Sequence, residues 1–414
     1  MTALQYGTGV RHIIRGVQVS GGSCTFSIVA ADGSPATHSL TGDIEYTPSS
    51  EYEFLYGGDF SRLNMMLEHG VKYKENNTVK DAVQIAVDNG WNIVRLRVYN
   101  DPGNASYKPS GYMTKGYVNT EDALELARKA KDKGLQVLLT FHYSDYWSDP
   151  SNQYIPHEWE GKNEAELKTA IYDFTYDVLS QMSSQGTLPE YVSVGNEINC
   201  GMLFGSYGNA NSYYCKYDKF VGFFNQGAKA VRDISDDIKV VVHATNPTQN
   251  IGWLFDHMEN YNADYDVIGL SYYPYWTDAS VQTFVQAADG YADTYRKKVL
   301  IMETGYNWST VTYYGDTGQL EDNGPYDAIY GTSEQAQRNY LLELSNESKK
   351  SDSVIGFIYW DPLTVPLKSF TGMNNTIDGS SAPNHDNGTV TQNSSLFDFN
   401  GNRLAAWDAF KYNN

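Results

Sequence analysis

A chain of 414 residues with 41% hydrophobic content can form one large α/β barrel plus a small appendage. A net charge of −20 argues against nucleic acid, whose phosphates would be repelled, and favours a neutral substrate over a polyanion. No apolar run is long enough to span a membrane, and three cysteines (Cys24, Cys200, Cys215) make no disulfide framework, although Cys200 and Cys215 flank one loop and could pair.

Residues 1–53 show β-branched runs broken by Gly, Ser and Pro, with no helical period. They predict a small β-rich segment, too few strands for an independent core. Its pattern loosely resembles the last strands of a carbohydrate-binding β-sandwich. The start lacks a charged stretch followed by an apolar run, so no signal peptide is visible.

From residue 54 to 414 a β/α alternation repeats. Short runs rich in Val, Ile, Leu and Tyr at 53–60, 92–99, 136–143, 191–198, 239–245, 266–273, 298–306 and 354–360 read as strands covered on both faces. Helical patterns fall between them at 78–90, 120–134, 164–182, 219–234, 280–298 and 333–350, and 404–412 would close the ring. Gly90 and Gly134 are placed at the C′ positions of the first two. The pattern predicts a (β/α)8 TIM barrel. An open doubly wound sheet competes poorly, because GGDFSR after the first strand lacks the phosphate-binding glycine fingerprint. Residues 369–395 form a long polar loop after the eighth strand, expected to wall one side of a cleft.

Barrel active sites lie at the C-terminal strand ends. Here those ends read Asp59, Arg97 to Asn100, His142 to Asp145, Asn196 and Glu197, His243, Tyr272 and Tyr273, Glu303, then Trp360 and Asp361. Glu197 and Glu303 close the fourth and seventh runs. A buried ionised carboxylate without a partner is strongly unfavourable, so each is expected to face a polar cleft. Such a pair suits retaining hydrolysis of a glycosidic bond, where the two carboxyl groups sit about 5–5.5 Å apart.

Arg95 and Arg97 share one face by the period of two, and Glu303 is the natural partner for an inward-pointing arginine, Arg97 being the stronger candidate. Asn196 is expected to hold a sugar hydroxyl. His142 suits a hydrogen bond to sugar or carboxylate; no second ligand at metal spacing stands near it. Tyr272, Tyr273, Trp276, Trp147 and Trp360 are candidates for stacking on sugar faces, with a phenol to bond the nucleophile.

The segments GGDFS, RLRVYNDP, FHYSDYWSDPSNQ with IPHEW, VSVGNEINCG, DVIGLSYYPYW, KVLIMETGY, FIYWDP and LFDFNGNRL together resemble the endo-β-1,4-galactanases of glycoside hydrolase family 53. The resemblance implies a (β/α)8 fold and hydrolysis of β-1,4-galactan, the neutral side chain of type I arabinogalactan. It makes Glu197 the acid/base and Glu303 the nucleophile, and it places Arg97, His142, Asn196, Tyr272, Tyr273 and Trp360 around the sugar at the cleavage point. Two departures stand out. Asp361 replaces a common Glu, and Gln392 stands where a structural calcium would want an Asp, which puts calcium in doubt; no cofactor is expected for the reaction. The partner is galactan or its oligosaccharides, with no nucleic acid and no membrane span. A monomer at a secreted, periplasmic or cell-surface location is expected. The alternatives are a mannan- or xylan-cleaving retaining enzyme of the same clan, or a non-catalytic glycan-binding barrel.

Overall fold

The computed structural model describes residues 53–102, 116–205, 217–314, 318–367 and 390–411, and two short antiparallel pairs within residues 1–52. Those pairs join Gln5–Tyr6 to Val10–Arg11 and Ile28–Val29 to Pro35–Ala36. Cys24, Cys215 and most of the loop 369–395 lie outside the described residues. The chain divides into two compact units, Met1–Glu53 and Phe54–Asn414.

In the second unit eight strands close into a barrel: β1 (Leu55–Asp59), β2 (Ile93–Val98), β3 (Gln136–Phe141), β4 (Tyr191–Val194), β5 (Lys239–Ala244), β6 (Val267–Ser271), β7 (Lys298–Glu303) and β8 (Val354–Tyr359). Each pairs in parallel with its sequence neighbours, and β8 returns to β1 through Tyr359 opposite Gly58. All eight predicted runs are strands.

Several of the helices between them carry side-chain caps, although Gly252–Asn260 has none. Asn119 caps the helix Thr120–Lys131 by accepting from Asp122 N. Asn163 and Glu166 form a reciprocal capping box on the helix Glu164–Ser184, satisfying two otherwise orphaned N–H groups. Ser280 and Ser333 cap the helices Val281–Tyr295 and Glu334–Lys350. Several boundaries differ from expectation: the helix expected over 280–298 ends at Tyr295, and 404–412 holds a short 3-10 helix, Ala405–Phe410. Thr78 and Val79 belong to a hairpin with Lys74 and Glu75, so the helix expected over 78–90 begins at Ala82. Gly134 lies two residues past the Asp132 cap, one beyond C′.

Period two sorts the barrel side chains. Val94, Leu96 and Val98 of β2, and Ile268, Leu270 and Tyr272 in and just after β6, join the main core cluster with the helices. The opposite face of β2 sends fully buried Arg95 and Arg97 into the barrel. A charged interior of this kind is unfavourable unless every member is paired. At the upper end of the barrel it is.

Candidate active site

Glu197 is set by a turn rather than by the strand. β4 stops at Val194, Gly195 takes φ +89°, and Glu197 itself takes φ +48°. A Cβ at position 195 would come within 2.5 Å of Ile198 Cγ2, so only glycine fits this bend. The Ile198 N–H then donates to His243 O at 2.9 Å and ties the turn to β5. A left-handed glutamate is a strained arrangement of the sort found at functional sites.

Glu303 is aimed by a register shift. β6 and β7 pair residue for residue up to Leu270 opposite Ile301, after which Ser271 faces Glu303. One extra residue in β7 breaks the alternation that would otherwise have sent Glu303, like Val299 and Ile301, toward the helices. Glu303 instead accepts from Arg95 Nη1 at 2.6 Å and from the Tyr273 hydroxyl at 3.0 Å.

The two carboxylates meet across the barrel mouth. One oxygen of each and a ring nitrogen of His243 all lie within 4.8 Å of one another. Their surroundings differ. Glu197 has the Ser271 hydroxyl at 2.6 Å from Oε1. Burial, with the Glu303 charge adding to it, pushes its carboxyl up to about 8. Burial also raises Glu303, but the Arg95 charge and hydrogen bond, and the Tyr273 hydroxyl, oppose that shift. The group with the arginine is the better anion, so the proton shared by the pair resides on Glu197.

Beneath them runs a fully buried network. Arg95 donates to Asn196 Oδ1 (2.6 Å) and Thr140 Oγ1 (3.0 Å). Asn196 Nδ2 donates to Ser148 O, and Gln153 Nε2 donates to Asn196 O, each at 2.8 Å. His243 lies between Asn196 Oδ1 (3.1 Å) and Ser271 Oγ (2.8 Å). Asn196 therefore spends its oxygen on orienting Arg95 and His243.

Above lies an aromatic wall. The Arg97 and Arg95 guanidinium carbons sit 4.6 and 5.3 Å from the Trp360 ring centre. Trp147 meets Trp360 edge-on at 5.5 Å, and exposed Trp276 meets Tyr273 edge-on at 4.8 Å. His142 stacks on Tyr99 at 4.1 Å, and neither of its ring nitrogens has a hydrogen-bond partner among the described residues. Burial, then Arg95, Arg97 and His243, hold it neutral. A buried imidazole with two unused nitrogens beside a cleft is ready to bond a ligand hydroxyl.

Three expected site residues fall elsewhere. Tyr272 points outward by the period of two, stacks on Phe284 at 4.3 Å and donates to Ala279 O. Asp361 is buried between Arg62 Nε (2.8 Å) and Arg97 Nη2 (3.0 Å). Arg97 pairs with Asp361 and Asp59, and it is Arg95 that reaches Glu303. The sequence reading did not single out Ser271 or Arg62 and gave His243 and Asp59 no role. Ser271 was findable, since it shares a face with Tyr273 two positions on.

Gln392 bridges two loops, its Oε1 accepting from Tyr313 N at 2.7 Å and its Nε2 donating to Tyr313 O at 3.3 Å. An amide committed at both ends to backbone does not fit a calcium ligand.

The Glycosyl hydrolase family 53 model matches residues 55–410. An arabinogalactan endo-beta-1,4-galactanase of Cellvibrio japonicus is 34% identical over 340 residues, 80% of this chain and 85% of that one. An endo-beta-1,4-galactanase of Bacillus subtilis is 28% identical over 384 residues, 87% and 86% of the two chains. Among solved structures, the Ignisphaera aggregans GH53 catalytic domain superimposes with a TM-score of 0.74 at 31% identity, covering 88% of this chain and 97% of its own. A fungal beta-1,4-galactanase superimposes at 0.67 with 25% identity, covering 87% and 99%. With its barrel, its paired glutamates and a family match over nearly the whole second unit, the chain belongs to glycosyl hydrolase family 53.

Proposed function

We propose that this protein cleaves internal β-1,4-galactosidic bonds of galactan and type I arabinogalactan with retention of configuration. Glu197 gives its proton to the departing glycosidic oxygen while a Glu303 oxygen bonds the anomeric carbon and the C–O bond breaks. Glu197, now a carboxylate, takes a proton from water, whose oxygen displaces Glu303 from the sugar. The observation that carries this reading is the separation of the two carboxylates. Oxygens within 4.8 Å leave no room for the intervening water that an inverting site, with carboxyls about 6.5–9.5 Å apart, requires.

Trp360, Trp147 and Trp276 supply faces for sugar rings, His142 a partner for a hydroxyl, and Tyr273 orients the nucleophile. Relatives named as galactanases support the substrate. A location outside the cytoplasm follows from a polymeric substrate, and no helix among the described residues is long and apolar enough to cross a membrane.

Time-resolved chromatography of linear galactan digests, with proton NMR of the first-formed anomer, tests the proposal. Internal cleavage giving the β-anomer first is expected, and Glu303→Gln should abolish it while galactan still binds. A first-formed α-anomer, or preference for mannan or xylan across a polysaccharide panel, overturns it. Binding without products in the unaltered protein would mark a glycan-binding barrel.

A further inference from the structure

The hydrogen-bond directions around Glu197 leave little freedom. Asn196 Nδ2 donates to Ser148 O, and Asn196 Oδ1 accepts from Arg95 Nη2. Flipping that amide would set two donors against each other, so its oxygen faces His243. His243 Nδ1 lies 3.1 Å from that oxygen and therefore carries a hydrogen. Burial, with Arg95 beside it, keeps the fully buried imidazole neutral, so Nε2 has only a lone pair. Nε2 is 2.8 Å from Ser271 Oγ, and the one Ser271 hydrogen points at it. Ser271 then offers only lone pairs to Glu197 Oε1 at 2.6 Å, and that contact is attractive when Oε1 bears the proton. Once Glu197 ionises, the hydroxyl has to turn to the carboxylate and abandon His243.

We propose that His243, acting through the Ser271 hydroxyl, is a positioning residue that biases Glu197 toward its protonated form. The role rests on Glu197 being the acid/base. Ser271 is a rotor with two settings, one for each charge of Glu197, and His243 holds it in the acid setting between turnovers. Glu303 from β7, Arg95 from β2 and Asp149 from the loop after β3 also act on Glu197, while Arg95 and His142 face His243. A change at His243 also reaches His142 and, through Asn196, Arg95, so the rotor is isolated by making that change with and without the Ser271 hydroxyl.

The test is the pH profile of kcat/KM on galactan for the unaltered protein, His243→Phe, Ser271→Ala and the double variant. In His243→Phe the freed hydroxyl donates to the carboxylate, and the alkaline limb should move down by about one pH unit. In the Ser271→Ala background the same replacement should move nothing, and Ser271→Thr should restore the shift. A limb that stays in place, moves up, or shifts equally with and without the hydroxyl overturns the proposal, because loss of packing alone does not depend on Ser271. Nitrogen NMR of the imidazole in the intact protein at about pH 6 is independent of substrate and of variant folding. A protonated Nδ1 with a bare Nε2 is expected; the opposite tautomer or an imidazolium overturns it even if galactan proves not to be the substrate.

Discussion

Arg95 Nη1 lies 2.6 Å from Glu303 Oε1, with the guanidinium completely shielded from solvent. The same guanidinium donates through Nη2 to Asn196, the residue immediately before Glu197. One cation thus holds the nucleophile and steadies the turn that carries the acid. Replacing it with Met removes the largest influence keeping Glu303 anionic, so its pKa rises further. The acidic limb of the pH profile should move to higher pH and kcat should fall about 10–100-fold. An unchanged acidic limb in stopped assays across the pH range would disconnect Arg95 from the nucleophile.

Glu197 links activity and stability to pH in the same window. Its folded pKa of about 8 lies above the ordinary 4.5, so the native state binds the extra proton. Its contribution is fully present below 4.5 and is lost as pH rises through 8. Glu197→Gln should therefore have a melting temperature close to that of the parent at pH 4.5 and above it at pH 8, while lacking activity. Calorimetry at the two pH values checks this, and a gap that is constant or reversed contradicts the assigned shift.

Asp361 accepts from Arg62 Nε and from Arg97 Nη2, with all three side chains buried. Asp361→Asn removes the negative charge that these two guanidinium groups share, Arg97 keeping Asp59, a defect that costs about 3 kcal/mol. Urea unfolding should show that loss, far exceeding what a sugar-contacting aspartate would give.

Gly195→Ala puts a Cβ into Ile198 and onto a backbone with φ +89°. About 1–3 kcal/mol of stability should go with it. Activity should fall more than stability, because the next two residues are Asn196 and Glu197. Fluorescence unfolding paired with galactan turnover separates the two effects.

The barrel was readable from the chain because each of its strands is a dense apolar run and most are separated by helical patterns, and that signal is local. The importance of Glu197 and Glu303 was readable for the same reason: a carboxylate terminating such a run has nowhere apolar to go. Their facing directions were not. The turn through Gly195 and the extra residue in β7 aim both glutamates, and neither follows from alternation. The choice between Arg95 and Arg97 was hidden too, since both share a face and only the height of each in the barrel decides which meets Glu303. Tyr272 and Asp361 show the other side of the limit. Composition marks a residue as suited to a sugar, but the period of two sent Tyr272 into the helical layer, and the buried charge of Arg62, more than 290 positions away along the chain, claimed Asp361. Local sequence determined which elements form and where polar groups gather. Closure of the barrel decided which of those groups touch, because contacts between distant strands depend on register and height that no single segment encodes.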